Sequence, residues 1–391
     1  MGFRKGRGTR EAIFKLRTMT ERSLHVNKKI YACFVDFQKA FDRINHEKLM
    51  RIMEKAGIPI HERKLIRHLY WNQYAVIRTK DGQSRRICIR RGVRQGCIIS
   101  PVLFNLYSEY MMKEFHDEVK GIVIGGRNFN NLRYADDAVY LCCSEVELQE
   151  IITRLAEVCR DYGMQINIKK TKVMVISKTR NVPCKIVIGG SELERVSQYK
   201  YLGTWITEDG RCELDVKTRI AMAKDAFWKH KELLKGNISL RVKKRILQCY
   251  IYPVLKYSCE SWTLNNDLIR RINSLEQWCY RRILKIKWTD KVSNEAVLKR
   301  MQVRKAVLYN SIQKQKLAFA GHILRGSSGD SILHILEGKL EAQLAHGHPD
   351  ECGWMISRTG PTWKRMKQSR ELQKTDVIGG CDVLRLDVEY C

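Results

Sequence analysis

The stretch LRYADDAVYL, residues 132–141, sets two adjacent carboxylates, Asp136 and Asp137, between two runs of strand-forming residues. Flanks of this kind fold back on one another as a hairpin, which puts both acids at its tip. Neighbouring strand residues point to opposite faces, so the two acids cannot share one face, and neither belongs inside an apolar sheet. An ionised carboxylate in such a setting is costly unless it meets a cation. The chain is otherwise strongly basic, with 72 Lys and Arg against 42 Asp and Glu.

A third acid has the same character. Asp36 closes KKIYACFVDF (residues 28–37), an apolar, β-branched and aromatic run that reads as a buried strand. Each of the three could be a turn residue or half of a salt bridge. Clustered carboxylates, however, repel one another unless a divalent cation lies between them. Hard oxygen ligands suit Mg²⁺, which is commonly shared between one or two carboxylates and substrate phosphates. Two such ions about 4 Å apart can stabilise both the attacking and the leaving oxygen of an in-line phosphoryl displacement. In a basic protein that chemistry points to a nucleic-acid polymerase or nuclease.

Composition narrows the field further. A chain of 391 residues predicts two or three domains, and 44 % hydrophobic content supports sizeable cores. The net charge of +30 and a pI near 9.7 favour nucleic acid over membrane as the polyanionic partner. No run reaches the roughly 18 apolar residues that span a bilayer. The start, MGFRKGRGTREAIF, lacks a secretory apolar region, and Gly6 stands where an N-myristoylation signal has Ser or Thr. The 14 cysteines are scattered without a C-x-x-C pair, and Cys33, Cys97 and Cys142 sit in apolar runs. That usage suits a reducing, intracellular compartment. His346, His348, Asp350 and Cys352 have a superficial metal-ligand spacing, but without a second Cys pair zinc is disfavoured.

The periodicities predict an α+β fold. Residues 9–26 form an amphipathic helix, with Ile13, Leu16, Met19 and Leu24 on one side and Arg and Lys on the other. A helix over residues 39–57 ends at Gly57 and Pro59. Residues 74–92 read as two strands around Asp81-Gly82, and Ser100 and Pro101 cap a helix over 100–115. A further helix runs to Gly163, followed by short strands near residues 172–207. Strands distant in sequence then meet in an antiparallel sheet backed by helices. Beyond residue 213 the chain turns helical. Ile220, Ala223, Phe227 and Leu234 make an apolar stripe, Lys217, Lys224 and Lys231 recur on another face, and Leu268, Ile272, Leu275 and Cys279 repeat the pattern.

Five segments occur in a telling order: FVDFQKAFDRINHEKL (34–49), RGVRQGCIISPVLFNLY (91–107), RYADDAVYL (133–141), INIKKTKVMVIS (166–177) and YKYLGTWIT (199–207). Together they resemble the palm motifs of reverse transcriptases, specifically those of LINE-type (non-long-terminal-repeat) retrotransposons. The resemblance covers about residues 1–340. It implies a right-hand polymerase palm with partial fingers, followed by a helical thumb and C-terminal region. The expected segments are a finger remnant (1–27), palm with finger elements (28–210), thumb (211–290), helical C-terminal region (291–340) and a divergent, poorly ordered tail (341–391).

The resemblance also implies roles. Asp36 and Asp136 would bind two Mg²⁺ ions, with Mn²⁺ a substitute, and Asp137 would complete the cluster. Phe41 matches the steric gate against the sugar 2′ position, with Phe37 beside it at the substrate. Arg94, Gln95 and Gly96 match the loop against template and incoming nucleotide, and Lys170 the lysine that protonates pyrophosphate. Tyr201, Leu202 and Gly203 match the primer grip, and Lys217, Lys224 and Lys231 would track nucleic-acid backbone. The implied activity is RNA-directed DNA polymerisation, with RNA template, DNA primer and deoxynucleoside triphosphates as partners and no membrane. The family's target-primed mechanism favours the nucleus. Relative to the family pattern the chain is expected to be truncated at its N-terminus, without an endonuclease domain and with incomplete fingers. The alternative is a catalytically silent retrotransposon remnant that only binds nucleic acid, with a group II intron maturase a distant third.

Overall fold

The computed structural model describes residues 2, 8–71, 73–80, 82–116, 119–326 and 329–338. The chain divides into two compact units, Met1–Lys217 with His334–Ala345, and Thr218–Leu333 with His346–Cys391. Residues 1–27, expected as a finger remnant, belong to the first unit, and residues 218–333 form one unit across the expected boundary at 290. The tail and its His346–Cys352 cluster lie outside the described residues.

The first unit is built on a five-stranded sheet. Its strands are β1 (Ile30–Val35), β2 (Asn131–Tyr134), β3 (Asp137–Cys142), β4 (Lys172–Ile176) and β5 (Glu194–Arg195), ordered β5-β4-β1-β3-β2. Neighbours among the first four strands pair antiparallel, as expected, but β5 runs parallel to β4. The chain between them makes a small hairpin, Val187–Ile188 with Ser191–Glu192, and so returns to the edge in the original direction.

Period-two alternation sends β1 side chains to two cores rather than one. Cys33 and Val35 face one, Ala32 and Phe34 the other, and all four are at most 2 % exposed. A strand covered on both faces must be apolar throughout, which explains the unbroken run from Ile30. Helices α2 (His46–Lys55), α4 (Ser100–His116) and α5 (Glu145–Asp161) cover the first face with Leu49, Phe104 and Ile152, among others. Helix α1 (Thr9–His25) covers the second with Ile13, Leu16 and Met19.

Three local expectations change. The basic side of α1 is buried, because its cations have distant partners. Arg17 lies 3.6 Å from Asp215 and donates to the Trp205 carbonyl at 2.6 Å, and Arg22 donates to the carbonyls of Ile335 and Gly338. The helix expected from residue 39 is broken. Ala40–Arg43 is a 3₁₀ turn, and α2 starts only after Asn45, whose side chain accepts the Lys48 N–H at 3.0 Å. Ser100 is the first residue of α4 rather than its cap, with its hydroxyl 3.1 Å from that of Tyr70 at the end of α3 (Ile60–Tyr70). The strands after Trp71 are split into two short pairs, Gln73–Ala75 with Ile87–Ile89 and Arg78–Thr79 with Gly82–Gln83.

The second unit is helical. It holds the larger part of α6 (Glu213–Lys229), then α7 (Lys231–Lys235), α8 (Leu240–Ile246), α9 (Tyr252–Lys256), α10 (Asn266–Ile283), α11 (Asn294–Arg300) and α12 (Leu308–Leu324). Leu268, Ile272, Leu275 and Cys279 of α10 are buried as their spacing predicts. Glu276 is buried among them at 0 % exposure. It is held by the hydroxyls of Tyr280 (2.7 Å) and Tyr252 (3.4 Å) and by the N–H groups of Val307 and Leu308. Among the described residues no helix is long and apolar enough to cross a membrane.

Candidate active site

Register brings the acids together. Val35 of β1 pairs with Ala138 of β3, so Asp36 follows on beside Asp137, a hundred residues later. Within the β2–β3 hairpin Tyr134 pairs with Asp137, leaving Ala135 and Asp136 as a two-residue turn. Ala135 has φ +55°, a left-handed conformation that costs a non-glycine residue roughly 1 kcal/mol or more. Strain of this kind persists where surrounding structure enforces it. Here Gly2 packs so closely that a Cβ on it would lie 2.6 Å from the Ala135 nitrogen, and Asn105 of α4 donates to the Gly2 carbonyl at 2.8 Å.

Asp137 feels both neighbouring acids. Asp137 is pushed up to about 6, first by burial of its inner side and then by Asp136 and Asp36, all acting in the same direction. Its side chain still keeps an exposed outer surface. For Asp137 the upward direction is opposite to that of a salt bridge, in which a neighbouring cation would hold the carboxyl down. Among the described residues no three His, Cys, Asp or Glu side chains are placed so that they could hold a metal ion as they stand, the three aspartates included. The three acids offer only hard carboxylate oxygens, and Asp136 and Asp137 are exposed. Such donors suit Mg²⁺, which keeps waters and substrate phosphates in its shell.

Asp36 is fixed from below by the INIKKTK segment. Its N–H donates to Thr171 Oγ1 at 3.3 Å, and its carbonyl accepts the Asn167 N–H at 2.8 Å. Gln38 donates to the Gln165 carbonyl at 2.8 Å, and Phe37 bridges to Ile166, half-buried against the core. Lys170 is exposed in this turn, one residue before Thr171. Phe41 lies in the 3₁₀ turn, its ring stacked on Phe104 of α4 at 4.7 Å and 13°.

The loop before α4 is strapped to the same turn. Val93 donates to the Phe41 carbonyl and Gly92 to that of Ile44, both at 2.8 Å. Gly92 has φ +93°, and a Cβ there would stand 2.9 Å from the Asp42 backbone, so only glycine fits. Gln95 and Gly96 are exposed on this loop. Arg94 is turned back, donating to the Leu69 carbonyl at 3.0 Å and to Gln73 at 3.4 Å.

The hairpin of β6 (Gln198–Tyr201) and β7 (Thr204–Thr207) reaches the acids through its aromatic face. Tyr199 stacks on Phe34 of β1 at 4.2 Å, with Tyr201 at 6.0 Å. Tyr199 is pushed up to about 12 by burial, then by Asp137 and Asp36, and Tyr201 is raised by burial and by Asp137. Leu202 and Gly203 form the turn, both left-handed at φ +47° and +80°. Tyr199, Phe34 and Thr171 were not among the candidates. For Tyr199 the available signal was its i, i+2 relation to Tyr201, which puts both rings on one strand face.

The three lysines expected on a thumb face do not share one helix. Lys217 pairs with Glu213 at 2.6 Å, Lys224 lies 5.5 Å from the Trp278 ring, and Lys231 starts a new helix after a break at His230.

The model of the family described as "Reverse transcriptase (RNA-dependent DNA polymerase)" matches residues 1–206. A transposon-derived protein of Caenorhabditis elegans is 28 % identical over 215 residues, covering 53 % of this chain and 75 % of its own length. The Pol polyprotein of a type-2 R2 retrotransposable element of Drosophila melanogaster is 24 % identical over 67 % of this chain. That match covers only 25 % of the polyprotein. Among solved structures, telomerase from Candida tropicalis in complex with a fragment of telomeric RNA matches 84 % of this chain and 51 % of its own. The TM-score is 0.40 and the identity 13 %.

Proposed function

We propose that this chain, which belongs to the reverse transcriptase (RNA-dependent DNA polymerase) family, extends a DNA primer on an RNA template. The single observation that carries the reading is the register of β1 on β3, which sets Asp36 beside Asp137 and next to the Asp136 turn. Two Mg²⁺ ions, or Mn²⁺ in their place, would be held by Asp36 and Asp136 with Asp137 completing the cluster. When bound they supply activation of the primer 3′-hydroxyl and neutralisation of charge on the leaving pyrophosphate.

The protein's own groups orient what reacts. Thr171 and Asn167 hold the Asp36 backbone, so its carboxylate has a fixed origin. Phe41, braced by Phe104, presents a flat wall that excludes a 2′-hydroxyl and selects deoxynucleotides, with Phe37 alongside. Gln95 and the open backbone at Gly96 meet template and incoming nucleotide, while Arg94 holds that loop to the end of α3. Lys170, exposed and next in sequence to the Thr171 that holds Asp36, would protonate the pyrophosphate. The Leu202–Gly203 turn supports the primer end, with Tyr199 and Tyr201 seating it on the sheet. Lys217, Lys224 and Lys231 contact backbone phosphates.

The test is primer extension on an RNA template with Mg²⁺, comparing the chain with Asp136→Ala. The expected outcome is elongation by the first and a loss on the order of 10³-fold or more in the second, as for other groups acting at the reacting centre. Equal signals would remove catalysis from this site and leave nucleic-acid binding without chemistry.

A further inference from the structure

Around the C-terminal end of α10, within the second unit, five cations gather on one concave surface. Lys235 comes from α7, Arg281 and Arg282 from the last turn of α10, and Lys285 and Lys287 from the segment that follows. Trp288, 91 % exposed, completes the surface. None of the lining residues is acidic. Like charges this close repel, so their gathering requires rigid support or an anion.

The support is aromatic. The Arg282 guanidinium lies 4.3 Å from the Trp278 ring and 5.1 Å from that of Trp228, and the Lys235 ammonium 4.9 Å from Trp228. The two indoles pack edge to face at 5.9 Å, and Phe227 buttresses Trp278 at 5.1 Å. Ring faces hold these head groups without neutralising them. The Arg282 Nε–H is buried and finds no hydrogen-bond partner among the described residues.

Trp288 is built in as well. It opens the 3₁₀ turn Trp288–Asp290, where Asp290 accepts the Lys287 N–H at 2.8 Å. Arg281 fastens the following loop through the Val292 carbonyl (2.8 Å) and Asn294 Oδ1 (2.9 Å). A large apolar ring is thus presented to solvent by a hydrogen-bonded turn, beside a cluster of positive charge in which Lys235, Arg281 and Arg282 are held in place. Cations that take phosphodiesters and a ring that takes a base are what single strands require. In a duplex the bases are already stacked, and Trp288 would have nothing to meet.

We propose that this surface binds single-stranded nucleic acid, with one unpaired base stacked on Trp288 and the adjoining phosphates held by Lys285, Lys287, Lys235 and Arg282. Binding here needs neither metal nor catalysis.

The test uses the full chain in EDTA, with fluorescence anisotropy of a short labelled single-stranded RNA, a DNA of the same sequence and a blunt duplex, across a salt series. Trp288→Ala should weaken single-strand binding by about tenfold or more while leaving duplex binding and the melting temperature unchanged, and Trp288→Phe should recover most of the loss. Lys285→Ala with Lys287→Ala should lower the salt slope by about 1.4, the value for two phosphate contacts on a single strand. Tighter binding of the RNA would add a 2′-hydroxyl contact, and equal binding would leave base and phosphate as the recognised chemistry; both agree with the proposal. Undiminished single-strand binding by Trp288→Ala, or equal losses on single strand and duplex, would overturn it. With divalent metal absent, an inactive polymerase does not alter the result.

Discussion

Replacing Asp137 by Asn should make the metal-free protein more stable at neutral pH. Its carboxyl titrates near 6 in the fold against an ordinary 3.8, raised by burial and by Asp136 and Asp36. A raised carboxyl pKa means that the folded state binds more protons than the unfolded one between these values. Stability therefore falls as the pH rises from about 3.8 to 6 and stays lowered above 6. Taken at face value the difference is roughly 3 kcal/mol. Asp137 is more than a third exposed, so solvent screening reduces this to about 1 kcal/mol. Asn keeps the shape and removes the charge, so Asp137→Asn should melt roughly 2–4 °C higher at pH 7.5 in EDTA. Most of that advantage should be gone near pH 4, where the wild-type carboxyl is protonated in the fold and partly protonated in the unfolded chain. Adding Mg²⁺ should raise the melting temperature of the wild type more than that of the variant. Thermal unfolding followed by circular dichroism reads all three conditions. A variant no more stable at pH 7.5, or one whose advantage is unchanged at pH 4, would refute the idea that burial and the neighbouring acids disfavour the ionised Asp137.

Gly92→Ala should destabilise by about 2 kcal/mol or more, read as a lower urea midpoint, since φ +93° and the Asp42 backbone at 2.9 Å both reject a Cβ. Glu276→Ala should cost about 3–5 kcal/mol, because two backbone N–H groups and two tyrosine hydroxyls lose a buried acceptor; undiminished stability in chemical denaturation would contradict that network. Phe41→Val should raise ribonucleotide incorporation in single-nucleotide extension assays with little change in melting temperature. Phe104→Ala should do the same while costing about 3–5 kcal/mol, because it removes the ring that braces Phe41.

The sheet and its acids were legible because their signals are local. The run from Ile30 to Val35 is apolar at every position, as a strand buried on both faces must be. The two apolar flanks of Ala135-Asp136 leave a hairpin as the simplest fold. What escaped depends on partners far away in the chain. The burial of Arg17 and Arg22 in α1 is visible only with Asp215, Trp205 and Ile335 in place, while helical spacing alone says only that Arg and Lys lie opposite the apolar side. The break before α2 turned on one residue, Asn45, whose capping hydrogen bond outweighs the helical periodicity on either side. Tyr199 was overlooked beside Tyr201 because its place over Phe34 follows from a hairpin folding back onto the sheet. Lys217, Lys224 and Lys231 kept a seven-residue spacing, but the break at His230 separates the last from the other two.

The central claim is that Asp36, Asp136 and Asp137 hold metal at one place. Iron-mediated cleavage measures this directly: Fe²⁺ replaces Mg²⁺, ascorbate and peroxide generate hydroxyl radicals at the bound ion, and the cut sites are mapped by mass spectrometry. The expected result is paired cleavage of the backbone near Asp36 and near Asp136–Asp137, suppressed by excess Mg²⁺ and lost together in Asp136→Ala. Cleavage near only one of the two segments, or cuts at both that survive Asp136→Ala, would contradict it.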